Sequence, residues 1–195
     1  GMLISAVEDE NPVICLEHRW LYGVRDSVPK DDYRVPIGEA KVVRSGTDIT
    51  IVGVSYMTLE CVRAAELLSN YGVHAEVIDL RSASPLDFST ILESVARTGR
   101  VLTVDHAHGA CGIGSEISAL AAGQLFSELQ GAPRTLSLPD HPTPTSSRLT
   151  SQYYSLPHQI ANACSEMVGN GAYFQFAGET THALDQVNRT FHGPF

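Results

Sequence analysis

Asp48-Ile49-Thr50-Ile51-Val52-Gly53-Val54 is β-branched and almost continuously apolar. That composition suits a strand buried on both faces, as in a parallel sheet covered by helices. The period then changes. From Thr58 to Tyr71, Leu59, Val62, Ala65 and Leu68 recur at helical spacing, with Arg63 outward and Gly72 as a stop. Ala75 to Leu80 reads as a second strand. Asp87 caps a predicted helix to about Arg97, stopped by Gly99. Arg100 to Asp105 reads as a third strand, and Gly112-Ile113-Gly114 opens a long apolar helix through Leu129. Arg134 to Leu138 is a fourth strand and His158 to Val168 a last helix. The order βαβαβαβα implies an α/β fold, a three-layer α/β/α arrangement with a mostly parallel sheet.

Outside this core the signals weaken. Pro12 disfavours helix at Asn11, and Val13-Ile14-Cys15-Leu16 reads as a short apolar strand. Residues 24–36 hold Asp26, Pro29, Lys30, Asp31, Asp32 and Pro36, which reads as a linker. The expected divisions are an amino-terminal piece 1–26, a linker 27–47, an α/β domain 48–168 and a tail 169–195. The tail has weak periodicity and reads as loop, with Phe174, Phe176, Phe191 and Phe195 available to dock on the surface.

Composition limits the function. The chain has 195 residues, 43% hydrophobic and 18% charged, ordinary for a globular protein. Its 13 basic and 22 acidic residues give a net charge of -9. An acidic balance argues against nucleic acid, whose phosphates require Lys and Arg. No stretch approaches the ~20 apolar residues of a membrane span. No signal peptide is evident, so the expected compartment is cytoplasmic. The four cysteines form no CxxC pair. Cys15, Cys61 and Cys164 sit among apolar neighbours and are expected to be buried.

Three constellations carry potential chemistry. The loop His106-Ala107-His108-Gly109-Ala110-Cys111-Gly112-Ile113-Gly114-Ser115 joins a strand end to a helix start. His106, His108, Gly112 and Gly114 make it a candidate anion or ligand loop. The plainer reading is that its glycines let the helix pack close to the sheet, and it does not fit GxGxxG. Zinc on His106, His108 and Cys111 lacks an evident fourth ligand. In Asp79-Leu80-Arg81-Ser82-Ala83-Ser84-Pro85, Arg81 projects at the sheet edge. It suits a carboxylate or phosphate, or a tie to a carboxylate at a subunit interface or within the loop. Leu138-Pro139-Asp140-His141-Pro142-Thr143-Pro144 reads as a structural turn. No GxSxG, P-loop or HExxH motif is present.

Several of these stretches, in order, resemble one family. They are Asn11 to Gly23, Val35 to Arg44, Gly46 to Thr50, Ala75 to Arg81 with Ser84-Pro85-Leu86-Asp87, Gly99 to His106, and Ala132-Pro133-Arg134. Together they resemble the β subunit of thiamine-diphosphate-dependent 2-oxo acid dehydrogenases (E1), in the part with a transketolase C-terminal-like domain. The resemblance implies an α2β2 enzyme that decarboxylates a 2-oxo acid and passes the acyl group to a lipoyl arm on E2. It implies thiamine diphosphate and Mg2+ in the whole enzyme only. Residues 1–26 would then be the end of a pyrimidine-binding domain. That domain carries the family's catalytic glutamate and histidine and would precede Leu3, so no catalytic or cofactor-binding residue is assigned here. His106 does not qualify, because Ala107 follows where the family often has Glu. The resemblance also implies a monovalent-cation site at Ala6, Val7, Asp9 and Asn11.

The implied partners are an E1 α subunit, a second β subunit and the subunit-binding domain of an E2 lipoyl acyltransferase. The leading expectation is an assembly and docking piece of E1, inactive in isolation. The alternatives are a stand-alone regulatory or ligand-binding module and a split transketolase-type subunit.

Overall fold

A computed structural model describes residues 1–150, 153–169 and 175–176, without the side chains of 147 and 148. Five strands form one sheet: β1 (Lys41–Arg44), β2 (Ile49–Gly53), β3 (Ala75–Asp79), β4 (Val101–His108) and β5 (Arg134–Leu138). Their order is β1-β3-β2-β4-β5. The pairs β2–β3, β2–β4 and β4–β5 are parallel, and β1 is antiparallel to β3. The helices are α1 (Met2–Glu8), α2 (Met57–Ser69), α3 (Phe88–Thr98), α4 (Ile113–Gln124), α5 (Ser147–Thr150) and α6 (Pro157–Val168). A 3-10 turn spans Arg19–Gly23.

The α/β reading of the sequence therefore holds. All five residues of β2 are buried, as its apolar run requires. One apolar cluster joins Ile49 and Ile51 of β2 to Leu59, Ala65 and Leu68 of α2 and Ile160 and Cys164 of α6. The second joins Val52 to Ile91 and Val95 of α3 and Ile117 and Ala121 of α4. Helices thus cover both faces, with α2 and α6 on one and α3 and α4 on the other. Asp87 caps α3 by accepting from Thr90 N at 3.1 Å, and Gly99 ends the helix at φ 70°.

Four local expectations need correction. Val13 to Leu16 is not a strand, and Ile14 and Leu16 are 86% and 89% exposed. Its apolar composition signals burial, but no described strand lies beside it. Lys41–Arg44 lies within the stretch read as linker, yet it is an edge strand of the sheet. The fourth helix stops at Gln124 rather than Leu129, although Leu125 and Leu129 still pack against the second cluster. Cys15 is exposed, whereas Cys61 and Cys164 are buried as expected. In the tail, Phe176 is buried and stands edge-on to Tyr71 at 5.0 Å. Phe174, Phe191 and Phe195 lie outside the described residues.

Candidate functional site at the carboxyl end of the sheet

β3 lies on one side of β2 and β4 on the other. The chain leaves β2 toward α2 on one face and leaves β4 toward α4 on the other. Such a reversal opens a crevice between the carboxyl ends of two parallel strands, the place where open α/β sheets bind ligands. Three non-glycine residues adopt left-handed backbone just beyond the strand ends: Ser55 (φ 55°), Arg81 (φ 56°) and Cys111 (φ 57°). Such conformations cost energy and are held in place by their surroundings.

Five rings meet at this end of the sheet. Tyr56 precedes α2, His106 comes from β4, and Tyr154 from the turn before α6. His18 and Trp20 come from the amino-terminal segment. His18 stacks on Tyr56 at 5.3 Å, and Trp20 meets Tyr56 edge-on at 5.1 Å. Tyr154 lies 5.3 Å from Trp20 and 5.0 Å from His106. The two imidazole centres are 5.9 Å apart.

The electrostatics favour neutral rings. Burial, and then the nearby His18, lower the pKa of His106 to about 4. Its Nε2 is buried and has no hydrogen-bond partner among the described residues. Burial lowers the pKa of His18 as well, and its Nδ1 accepts from Trp20 N at 3.3 Å. The Tyr56 hydroxyl is raised by burial and by its neighbour Glu60. Glu60 is itself raised by burial, while Arg63 at 2.7 Å opposes that shift.

The transketolase C-terminal domain family matches residues 38–160. This chain belongs to that family. It is a transketolase-type C-terminal domain of the kind found in E1 β subunits. The chain is 41% identical to the β subunit of an acetoin:2,6-dichlorophenolindophenol oxidoreductase from Cupriavidus necator, over 89% of this chain and 51% of that protein. It is 41% identical to the pyruvate dehydrogenase E1 component subunit β of Porphyra purpurea, over 87% of this chain and 51% of that protein. Among solved structures it is similar to a split-gene transketolase in an inactive β4 tetramer. That match has a TM-score of 0.63 and 25% identity, and covers 74% of this chain and 46% of that one. The chain spans about half the length of the curated relatives it matches.

Within this transketolase-type domain, the residues singled out in the sequence separate. His106 joins the ring cluster, but His108 is exposed and faces Asp140 at 4.0 Å. Gly112 precedes α4, where a β-carbon would meet the His108 carbonyl oxygen at 2.5 Å. A β-carbon on Gly114 would lie 2.5 Å from the Thr135 methyl. Both glycines thus have a packing reason. Arg81 turns back to Asp79 at 3.5 Å, and Thr58 Oγ1 donates to the same carboxylate at 3.1 Å. Ala6 and Val7 lie in the last turn of α1, and Asp9 Oδ1 accepts from Asn11 N and Nδ2. Among the described residues, no group of three or more His, Cys, Asp or Glu could hold a metal ion. Sequence reasoning missed His18, Trp20, Tyr56 and Tyr154 as site residues, and local pattern gives no signal for them. Their shared feature is aromatic chemistry spread over 137 positions, which only the fold gathers.

Proposed function

We propose that this chain is the carboxy-terminal, assembly half of an E1 β subunit, in an enzyme that decarboxylates a 2-oxo acid and passes the acyl group to lipoyl-E2. One observation carries the reading. A transketolase-type domain that spans half of its E1 β relatives leaves Val13, Ile14 and Leu16 extended, exposed and outside any described sheet. Apolar main chain of that kind suits pairing with a sheet in the other half of the subunit. On this reading residues 1–26 end the pyrimidine-binding domain, 27–47 link it, 48–168 form the transketolase C-terminal-like α/β domain and 169–195 form a tail. The partners are an E1 α subunit, a second β copy and the E2 subunit-binding domain, with Arg81 at an interface.

Thiamine diphosphate and Mg2+ belong to the assembled enzyme. The described residues offer no acidic or imidazole cluster to receive a divalent ion, so no step through these groups is derived for this chain. A monovalent cation at Ala6, Val7, Asp9 and Asn11 is part of the same proposal. Carbonyl groups in the last turn of a helix lack intrahelical donors, and such oxygens suit a hard cation. Anion binding at His106, His108, Gly112 and Gly114 fits a stand-alone ligand-binding module better than an E1 subunit. The cytoplasm is the proposed compartment, and no described helix is long and apolar enough to cross a membrane.

A second reading, a split transketolase-type subunit, has the split-gene transketolase match in its favour. Dye-reduction assays separate the two. The chain is mixed with an α-type subunit, a pyrimidine-domain polypeptide, thiamine diphosphate and Mg2+, and supplied with pyruvate, acetoin or a ketose phosphate. Turnover of pyruvate by the complete mixture, and by no mixture lacking this chain, supports the 2-oxo acid E1 reading. Turnover of acetoin alone points to a β subunit like that of the acetoin oxidoreductase and counts against a 2-oxo acid substrate. Dye reduction with the ketose phosphate alone, where the dye oxidises the two-carbon unit cleaved from it, supports the split transketolase. No turnover at all counts against both.

A further inference from the structure

The segment Glu17–Val24 reaches the domain through its rings. Residues 11–16 ahead of it pair with no described strand. Glu17 and Tyr22 bond each other at 2.6 Å in solvent. What holds the segment is His18 and Trp20 against Tyr56, His106 and Tyr154, with Leu21 and Val24 against the larger apolar cluster. The contact spans the carboxyl ends of β2 and β4.

We propose that this ring cluster is a proton-operated latch: with His18 and His106 neutral it holds Glu17–Val24 on the sheet, and when they take up protons it releases that segment. The geometry gives the reason. An imidazolium presents two N–H donors, and each needs an acceptor when buried. His106 Nε2 is buried with none among the described residues. Two imidazolium rings at 5.9 Å would also repel each other in a poorly solvated site.

The surrounding charges do not remove this conflict. From α2, Glu60 lies behind Tyr56, and its carboxylate is engaged by Arg63 and Tyr56. From β4, Asp105 takes the His106 backbone N–H rather than its ring. Tyr153 and Tyr154 face it from the turn before α6, with the His141 ring tilted against Tyr153 at 5.2 Å. Glu17 and Arg19 flank His18 on the segment itself. Burial holds both Glu60 and Asp105 above their ordinary range. They lose charge as pH falls and offer less compensation when the imidazoles need it. The sign follows from His106: its docked pKa of about 4 lies below the ordinary 6.5, so docking is favoured above the ordinary value and weakens as pH falls toward 4.

Trp20 is the only tryptophan of the chain, so its emission reads the latch directly. The full chain is followed between about pH 7.5 and about pH 4.5 by Trp20 emission and by amide hydrogen exchange, corrected for intrinsic rates. The expected result is a red shift and a loss of protection over residues 17–24 of about tenfold or more, with β2 and β3 still protected. His106→Phe is expected to stay docked at the acid end. If it does not fold, His18→Phe serves the same purpose. Glu60→Gln is expected to keep the transition. The latch is overturned if the unaltered chain shows no local release. It is equally overturned if release survives both histidine substitutions, or if Glu60→Gln alone abolishes it.

Discussion

Glu76 Oε1 on β3 accepts a hydrogen bond from Ser94 Oγ on α3 at 2.6 Å, with both side chains buried. Arg97 pairs with the same carboxylate, and Gly46 N donates to Oε2 at 3.3 Å. Ser94 in turn lies 2.7 Å from Thr50 Oγ1, which also meets Thr98 Oγ1 at 2.7 Å. This network ties the amino ends of β2 and β3 to α3. Glu76→Ala would strand three donors at once. The expected loss is about 3 kcal/mol, because removing one member of a buried charged network leaves the others unpaired. Urea unfolding of the two chains measures it, and a change below about 1 kcal/mol would show that water replaces the carboxylate.

Asp87 does two jobs. It caps α3 through Thr90 N at 3.1 Å, and it holds the approach to β1 through Ala40 N at 2.9 Å. Burial alone would raise its carboxyl. Hydrogen bonds from the Thr90 hydroxyl and N–H, Ala40 N–H and Ser89 outweigh that effect and hold the pKa at about 2. A carboxyl depressed on folding stabilises the fold above its ordinary value of 3.8, and that contribution is lost as pH falls from about 4 to about 2. Asp87→Ala is expected to cost about 1–2 kcal/mol at neutral pH and to flatten the stability profile across that acid window. Thermal melts across the window test both parts.

Two glycines make opposite predictions. A β-carbon at Gly46 would lie 2.2 Å from the Ala75 carbonyl carbon, a backbone atom that cannot yield without moving β3. Gly46→Ala is expected to destabilise by about 1–3 kcal/mol. Gly123, near the end of α4, has nothing within 4 Å of such an atom. Gly123→Ala is expected to be neutral or to stabilise by up to about 1 kcal/mol. Denaturation midpoints of the pair decide whether close packing rather than turn geometry explains Gly46.

The central strands were legible because β2, nearly all of β3 and the first half of β4 are buried, which leaves near-continuous apolar runs in the sequence. β1 was not, because Lys41–Arg44 is a short, half-buried edge strand that alternates weakly. α4 was read too long for a related reason. Leu125 and Leu129 pack on the second cluster after the helix has ended, so apolar spacing outlasts the regular helix. Val13 to Leu16 misled in the opposite direction: its composition records a need for burial that the described residues do not meet. The loop at 106–115 stood out by its glycines, but the cluster around His106 depends on partners from three distant elements.

Cys15 lies within the exposed apolar segment, and Cys111 is exposed on the loop before α4. Cys61 and Cys164 are buried, and burial raises both thiols above their ordinary range. In the folded chain a water-soluble thiol reagent is therefore expected to modify Cys15 and Cys111 quickly, and the other two only on unfolding. The labelling rate of Cys15 relative to Cys111, with and without a pyrimidine-domain polypeptide and an α-type subunit, tests the assembly-half proposal most directly. If the segment around Val13 to Leu16 pairs with the other half of the subunit, Cys15 becomes protected by about tenfold or more, while unfolded controls label fully. An unchanged Cys15 rate in a mixture that forms a complex would contradict it.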